Sequence, residues 1–570
     1  MGLESNDNIR RYINMDNISP IVMDILDKRG IKSEQVEEFL SPKPRLMHDP
    51  FLLYNMEAGV DLILDAIDSG DKIVIYGDYD VDGITSTALM MKVLGSLDAN
   101  VDYYIPDRLD EGYGLHKSSI EKIASDGGKV VITVDCGSVS EEETEYAHEL
   151  GIRTVITDHH SISDRIAKGI VINPKQHEDK YPFKGLAGVG VAYKFALALS
   201  KKRKIPANIM KEILELATIG TIADIMPLVD ENRTIVKFGL YLMRQGCMNK
   251  GLRKLIEKVD INFKDIGVTD ISFRISPRIN AAGRLKDASI GVKTLLAEDD
   301  EDIEKYCRTL IETNQQRRQI QDSAFKTGMQ IVKDSGKISN IEFIEINDSH
   351  EGVLGIVAGK IREEINRPVV IVSKKNDLYK GTGRSIESIN MFEVFDKYRN
   401  LFESFGGHSA ACGFTIHQNH LEKLKKYVND DVEKMLETEN SLFDIIHYSD
   451  MNISINDIDM KLATSLQLME PFGKGNEEPW FRLNDVSVTN WKFLSGNRFG
   501  RFRAKSYNTS DNFALDCITF SDAEKMYNEI YSDSPSGKKV DIIGNIEINK
   551  WRNMTNIQFK VKYLECSDDK

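Results

Sequence analysis

Three short runs of apolar, mostly β-branched residues constrain the fold of this chain more than any other feature. They are Ile73-Val74-Ile75-Tyr76, Val130-Val131-Ile132-Thr133-Val134 and Thr154-Val155-Ile156-Thr157, with helical patterns between them. A strand with one wet face alternates apolar and polar residues. These runs do not, so both of their faces are covered. Short apolar strands separated by helices predict a parallel sheet with helices on both sides. Each run then ends in residues of another kind. The first leads into Gly77-Asp78-Tyr79-Asp80-Val81-Asp82-Gly83, the second into Asp135-Cys136-Gly137, and the third into Asp158-His159-His160. Open parallel sheets bind ligands at the carboxyl ends of their strands. Three strand tips therefore bring acidic and imidazole groups to one edge.

Carboxylates as close as Asp78, Asp80 and Asp82 repel strongly unless cations neutralise them. Oxygen ligands suit hard ions such as Mg²⁺ or Mn²⁺. Gly77 and Gly83 allow a tight turn, and alternation at a strand end aims Asp80 and Asp82 the same way. A calcium-binding loop is excluded, because no Glu follows Gly83 at the required spacing. Alone, Asp135 also reads as a helix N-cap and His159-His160 as a surface pair; together the three tips read as a metal site. Asp224 is the one charge in the apolar segment 216–228. Burying it is expensive unless it binds metal or pairs with a neighbour such as Arg233.

The remaining sequence sets the scale. A chain of 570 residues with 41% apolar content holds several domains. No apolar run reaches the ~20 residues of a membrane span. The polar N-terminus lacks the apolar core of a secretory signal, so a cytoplasmic protein is expected. Six cysteines without a C-x-x-C pair read as buried free thiols, not as a zinc knuckle or disulfide frame. The net charge of −15 speaks against nucleic acid for the chain taken whole. A local basic track is sufficient, however. The tail offers one: Trp491-Lys492-Phe493, residues 498–505, Lys550-Trp551-Arg552 and residues 559–562 interleave aromatics and cations. Single-strand binders use that pattern, and half-buried amphipathic strands are the alternative. Residues 299–333 form a polar, proline-free helix pattern suited to bridging two domains. Pro277, Asn280 and Gly283 predict an irregular loop over residues 276–285, with its arginines facing a ligand. Glycines near 355, 383 and 406–407 can expose backbone N–H groups to phosphate, tight turns being the alternative. Past residue 440, five short strand patterns (485–489, 501–505, 514–520, 540–544 and 558–563) suggest a small barrel.

The order Asp80-x-Asp82, Asp135, Asp158-His159-His160, Asp224 resembles the four motifs of the DHH phosphoesterase superfamily. Residues 186–190, 276–285, 350–358, 381–385, 405–408 and 471–479 resemble the RecJ subfamily within it. The resemblance implies an α/β architecture: a parallel-sheet DHH domain (71–298), a long connecting helix (299–335), and a DHH-associated α/β domain (336–440). An N-terminal helical segment (1–70) precedes these, and an OB-fold β-barrel (441–570) follows. It implies a single-strand-specific 5′→3′ DNA exonuclease releasing 5′-mononucleotides in repair and recombination, with two divalent ions, Mn²⁺ or Mg²⁺. The implied metal ligands are Asp78, Asp80, Asp82, Asp135 as the bridge, His159 and Asp224. The implied catalytic set is Asp135, Asp158, His159 and His160, with His160 at the scissile phosphate. Arg108, Arg278, Asn280, Arg284, His350, Thr382, Arg384, Ser385, Gly406, Gly407 and His408 are the implied substrate contacts. A monomer with single-stranded DNA, a single-strand-binding protein and a helicase as partners is expected, and no membrane. A small-substrate DHH phosphoesterase and a non-catalytic DNA-binding scaffold are the alternatives.

Overall fold

The computed structural model describes residues 17–42, 46–108, 111–162, 164–445, 447–507, 513–520, 523–531, 538–551 and 554–566. The polar start of the chain, Arg552, and the side chains of Lys550, Trp551 and Cys566 lie outside the described residues.

The predicted parallel sheet is present. Its strands are β1 (Ile73–Gly77), β2 (Val101–Tyr104), β3 (Val130–Val134), β4 (Arg153–Thr157) and β5 (Ile170–Ile172), in the order β2-β1-β3-β4-β5 and all parallel. The apolar runs are explained by burial on both faces. Ile73, Ile75, Val130, Ile132 and Val134 enter one core with the helices Met56–Ser69, Val81–Gly95 and Gly188–Lys202. Val74, Tyr76 and Val131 point the other way, into a core shared with Lys117–Ser125 and Glu141–Glu149. Helices from Ala207–Ala223 to Ser289–Leu296 enlarge the first core.

The bridging helix runs over Asp300–Asp334 and spans about 50 Å. The Asp299 side chain caps its first turn by accepting from Glu301 N and Asp302 N. Ile303, Cys307 and Leu310 near one end belong to the first core, while Ala324 and Val332 belong to another. That second unit is a mixed sheet of β6 (Glu342–Glu345), β7 (Val369–Lys375), β8 (Leu378–Arg384), β9 (Phe402–His408) and β10 (Ala411–His417), ordered β6-β7-β8-β10-β9. Only β6 and β7 pair in parallel, joined through the helix Glu351–Ile365.

The tail is a barrel of β11 (Met451–Asn452), β12 (Phe481–Leu494), β13 (Phe499–Ser506), β14 (Leu515–Thr519), β15 (Val540–Trp551) and β16 (Met554–Cys566). Its order is β11-β12-β13-β14-β16-β15, and pairing of β12 with β15 closes it. The strands at 481–494, 540–551 and 554–566 run longer than their apolar patterns, because the β12–β13 and β15–β16 hairpin ladders continue into exposed residues.

Three features differ from expectation. The described helices of the segment 1–70 belong to two cores: Pro20–Lys28 and Ser33–Leu40 pack on the barrel, whereas Met56–Ser69 packs on the first sheet. Residues 276–285 form a helix, Ser276–Leu285, and not a loop. Pro277 sits in its first turn, where no N–H is needed. Gly283 lies where a Cβ would meet Tyr79 O at 2.6 Å. Among the cysteines, 136, 307, 412 and 517 are buried free thiols, but Cys247 is exposed.

Candidate active site

The first tip turns sharply after β1. A Cβ on Gly77 would stand 2.0 Å from Thr87 Oγ1, and one on Gly83 would stand 2.4 Å from Asp78 O, so only glycine allows this return. Asp80 becomes the N-cap of Val81–Gly95, its Oδ1 accepting from Asp82 N at 2.8 Å and Gly83 N at 3.1 Å. Asp82 lies in the first helical turn. Its carboxylate accepts from Gly188 N (2.7 Å) and Val189 N (2.8 Å), at the start of the helix Gly188–Lys202. Asp80 and Asp82 both border the same acidic cluster, Asp80 from the N-cap and Asp82 from the first helical turn, so a helix start and not a strand end sets their spacing.

At the second tip Asp135 is no N-cap. It takes a left-handed φ of 64° and is buried. At the third tip Asp158 organises its neighbours. Its Oδ1 accepts from His159 N (2.7 Å), His160 N (3.1 Å) and His160 Nδ1 (2.8 Å), and its Oδ2 from Ser138 N (2.9 Å). Asp224 follows the helix Ala207–Ala223 and is half-buried. Arg233 is not its partner, since that guanidinium is engaged by Phe39 O, Glu470 O and Pro471 O.

These side chains converge. His159 Nε2 lies 3.2 Å from Asp135 Oδ1, 3.6 Å from Asp224 Oδ2 and 3.9 Å from Asp82 Oδ2. Three ligand groups have donor atoms within 4.8 Å of one another: Asp78, Asp80 and Asp135; Asp82, His159 and Asp224; Asp135, His159 and His160. Asp135 belongs to two of them. Asp78 Oδ1, Asp135 Oδ1, His159 Nε2 and Asp224 Oδ2 are buried atoms without a hydrogen-bond partner. Orphaned buried acceptors are costly in a protein interior. Here they face one another, and their oxygen-rich chemistry fits divalent cations.

Electrostatics follow the same geometry. Burial, then the neighbouring aspartates, holds the Asp82 and Asp135 carboxyls well above the usual carboxylate range. Burial and then Asp80 push Asp78 up to about 7 and Asp224 to about 6. Burial, then the charge of His160, pulls His159 down to about 3, which keeps its lone pair free at neutral pH. Burial opposes charge on Asp158 and His160, but their hydrogen bond prevails; the carboxyl lies low and the imidazole lies high.

Toward the second sheet the site meets arginines. Arg108 stacks 4.8 Å above the Tyr79 ring. Arg284 Nη1 donates to Gly352 O at 2.9 Å, tying the helix Ser276–Leu285 to Glu351–Ile365. Burial, then the charges of Arg108, Arg317 and Arg384, lowers Arg284 to about 10. Four cations thus share one region beside Asp78 and Asp80, which suits a phosphate chain entering the acidic centre. Arg278 carries a buried, unpartnered Nε, and its Nη1 donates to Arg274 O. Thr382 and Arg384 lie against Gly355, where a Cβ would stand 3.0 Å from Arg384 Nη2. Gly406, Gly407 and His408 are exposed on the edge strand β9.

Other candidates have local roles. Asn280 Oδ1 accepts from Val81 N at 3.1 Å and braces the first tip. His350 Nδ1 caps Glu351–Ile365 by accepting from Gly352 N. Ser385 does not face the cleft; it is buried and donates to Ile389 O at 2.7 Å. Gly355 and Gly383 are packing glycines, the latter pressed against Met391 and Cys412. In the tail, Trp491 stacks on Phe502 at 4.7 Å, and Arg501 and Arg503 pair with Asp516, which fits the amphipathic-strand alternative there. Sequence reasoning missed Tyr113, whose hydroxyl lies 2.9 Å from His160 Nδ1, and Arg317 on the connecting helix. Gly112 and Gly114 around Tyr113 were the available signal.

The chain matches the DHH family N-terminal domain over residues 72–221, the DHHA1 domain over 341–434 and the RecJ OB domain over 449–563. It is 32% identical over 566 residues to the single-stranded-DNA-specific exonuclease RecJ of Bacillus subtilis, covering 99% of this chain and 70% of that protein. The chain belongs to the RecJ family. The RecJ protein of Haemophilus influenzae is 30% identical, with 92% of each chain covered. The fold superposes on the crystal structure of RecJ in complex with Mn²⁺ from Thermus thermophilus with a TM-score of 0.80 at 25% identity, covering 98% of this chain and 77% of that one. A second RecJ exonuclease structure, bound to manganese, is 30% identical with a TM-score of 0.60, covering 70% of this chain and 99% of that one. The fold is thus a parallel-sheet DHH domain, a DHHA1 domain and an OB barrel, and the acidic cluster suits the divalent ions of this family. Among the described residues no helix is long and apolar enough to cross a membrane.

Proposed function

We propose that the chain is a single-strand-specific DNA exonuclease that removes 5′-mononucleotides in the 5′→3′ direction, in DNA repair and recombination. The observation that carries this is the convergence of buried, unpartnered carboxylate and imidazole atoms at three strand tips and Asp224. Divalent cations held there would supply Lewis acidity and lower the pKa of a water between them.

The chain's own groups divide the remaining work. Asp78 and Asp80 would hold one side of the centre and Asp82, His159 and Asp224 the other, with Asp135, grouped with Asp78 and Asp80 and 3.2 Å from His159 Nε2, between them. The amides of Gly188 and Val189 fix the Asp82 carboxylate, so the ligand does not swing. Neutral His159 offers a lone pair. His160, held on Nδ1 by Asp158 and Tyr113 and favoured in its charged form by Asp158, would contact the scissile phosphate. Arg108, Arg284 and Arg384 take the phosphates at the 5′ side, with Arg278, Thr382 and the β9 edge at Gly406, Gly407 and His408 beside them. Asn280 and His350 act by positioning.

The barrel and the full ligand set favour this reading over a small-substrate phosphoesterase or a scaffold that has lost its ligands. The protein works as a cytoplasmic monomer beside a single-strand-binding protein and a helicase; light scattering and pull-down from cell extract check those points. The direct test is Mn²⁺-dependent release of mononucleotides from labelled single-stranded DNA, against duplex DNA, pyrophosphate and short RNA. Faster turnover of pyrophosphate or short RNA sinks the proposal.

A further inference from the structure

The loop that leads into the barrel, residues 471–479, also reaches the candidate metal centre. Leu228 N donates to Lys474 O at 2.7 Å, in the segment that follows Asp224. A Cβ on Gly473 would stand 2.7 Å from Leu228 Cδ1, and one on Gly475, at φ 74°, would stand 3.4 Å from Pro227 Cβ. Glycines on both sides thus let the loop lie flat on residues 227–229, with Lys474 exposed between them. A second lysine is placed from the third strand tip. Asn173 donates to His160 O at 3.0 Å and to Ser138 Oγ at 2.8 Å, and its Oδ1 accepts from Lys175 N at 2.9 Å. Lys175 is exposed as well. Both lysine charges act on Asp224; burial works against the Lys175 charge, Asp158 and Asp224 favour it, and Lys474 repels it. Neither has an ion-pair partner among the described residues. Backbone bonds hold two like charges together at the rim of the centre, where an anion between them relieves the repulsion.

We propose that Lys175 and Lys474 bind a backbone phosphodiester of the strand on the 3′ side of the scissile bond, making the barrel's leading loop a wall of the nuclease centre. This rests on the exonuclease reading above. The arginines border the centre on the side that faces the second sheet and would take the 5′ end. The retained strand then leaves past Asp224, on the side these lysines border and toward the barrel. A lysine contacts phosphate as a point charge and reads no sequence.

The test is steady-state hydrolysis of a single-stranded oligonucleotide by the full chain and by Lys175→Ala, Lys474→Ala, the double variant and Lys474→Arg. Each alanine variant raises KM several-fold while kcat stays within about twofold, and the arginine variant stays near wild type. The slope of log(kcat/KM) against log salt shrinks by roughly 0.7 for each lysine removed. One uncharged methylphosphonate linkage on the 3′ side of the scissile bond weakens the wild type and adds nothing in the double variant. Lys474 bonds Leu228 through its main chain, so unchanged thermal unfolding shows that the alanine variants keep their fold. An unchanged KM and salt slope in the double variant, or an equal methylphosphonate effect in both proteins, overturns the inference. Absence of nucleotide release by the wild type overturns the exonuclease reading with it.

Discussion

Asp135 leaves its strand at a φ of 64°, a conformation that costs a non-glycine residue about 1–3 kcal/mol. The strain is sustained because it sets the carboxylate between two ligand groups, against Gly188 and within 3.2 Å of His159 Nε2. Asp135→Asn keeps the shape but weakens both groups, so kcat is expected to fall by more than about 10²-fold with no loss of fold, as a kinetic assay with circular dichroism will check. A second expectation concerns pH. Asp78 stands near 7 and Asp224 near 6, above their unfolded values, so the metal-free folded chain binds protons that the unfolded chain releases. Stability in chelator therefore falls as pH rises from about 4 through 7, the reverse of ordinary acid denaturation. Mn²⁺ selects the ionised carboxylates, so its increment in Tm grows between pH 5 and 8. Thermal unfolding with EDTA and with Mn²⁺ at both pH values measures this, and an increment that ignores pH would contradict it. Aspartates 78, 80, 82, 135 and 224 were legible because charge at the end of an apolar strand, or inside an apolar segment, is anomalous. Tyr113 was not, because its contact with His160 comes from a loop whose sequence carries no period.

The helix Gly188–Lys202 is where packing and chemistry meet most closely. Its first two amides grip the Asp82 carboxylate, as helix N-termini do for anions. Its first residue has no room for a side chain: a Cβ on Gly188 would stand 2.4 Å from Asp135 Oδ1. Gly188→Ala is therefore expected to push the helix end away from both aspartates and to lower kcat by at least tenfold, with a weaker Mn²⁺ response in Tm. Wild-type kinetics in this variant would show that the helix start has slack. Elements were legible where burial imposes a pattern. The unbroken apolar runs of β1, β3 and β4, the long proline-free stretch of the 35-residue bridging helix and the short strand patterns of the barrel each carry one. The helix Ser276–Leu285 was not legible, because Pro277 and Gly283 signal a break locally. Close approach to Tyr79 and a first-turn position make both residues compatible with helix.

At the scale of the whole molecule, one buried guanidinium joins parts of the chain that sequence reading kept separate. Arg233 lies on Asp230–Arg244 and is 2% exposed. It stacks 3.9 Å over the Phe39 ring and donates to Phe39 O at 2.8 Å, Glu470 O at 3.1 Å and Pro471 O at 3.4 Å. Lys237, one turn on, donates to Leu40 O and Leu468 O. The catalytic unit, the N-terminal helices and the barrel's leading segment thus meet at main-chain carbonyls, and that segment carries Lys474. No carboxylate balances Arg233 in these bonds, and burial lowers its pKa to about 9. Carbonyl acceptors without this donor would be left buried and unsatisfied. Arg233→Met retains much of the volume and removes the donors, so destabilisation on the order of 3 kcal/mol is expected. The loss should concentrate at the junction. Limited proteolysis should then release a fragment containing the barrel while the first sheet still unfolds near its original temperature. If lysine-dependent strand binding requires the docked loop, the same variant should also raise KM for single-stranded DNA toward that of Lys474→Ala. A single thermal transition, unchanged in midpoint, with wild-type KM would mean that the three parts are held together elsewhere.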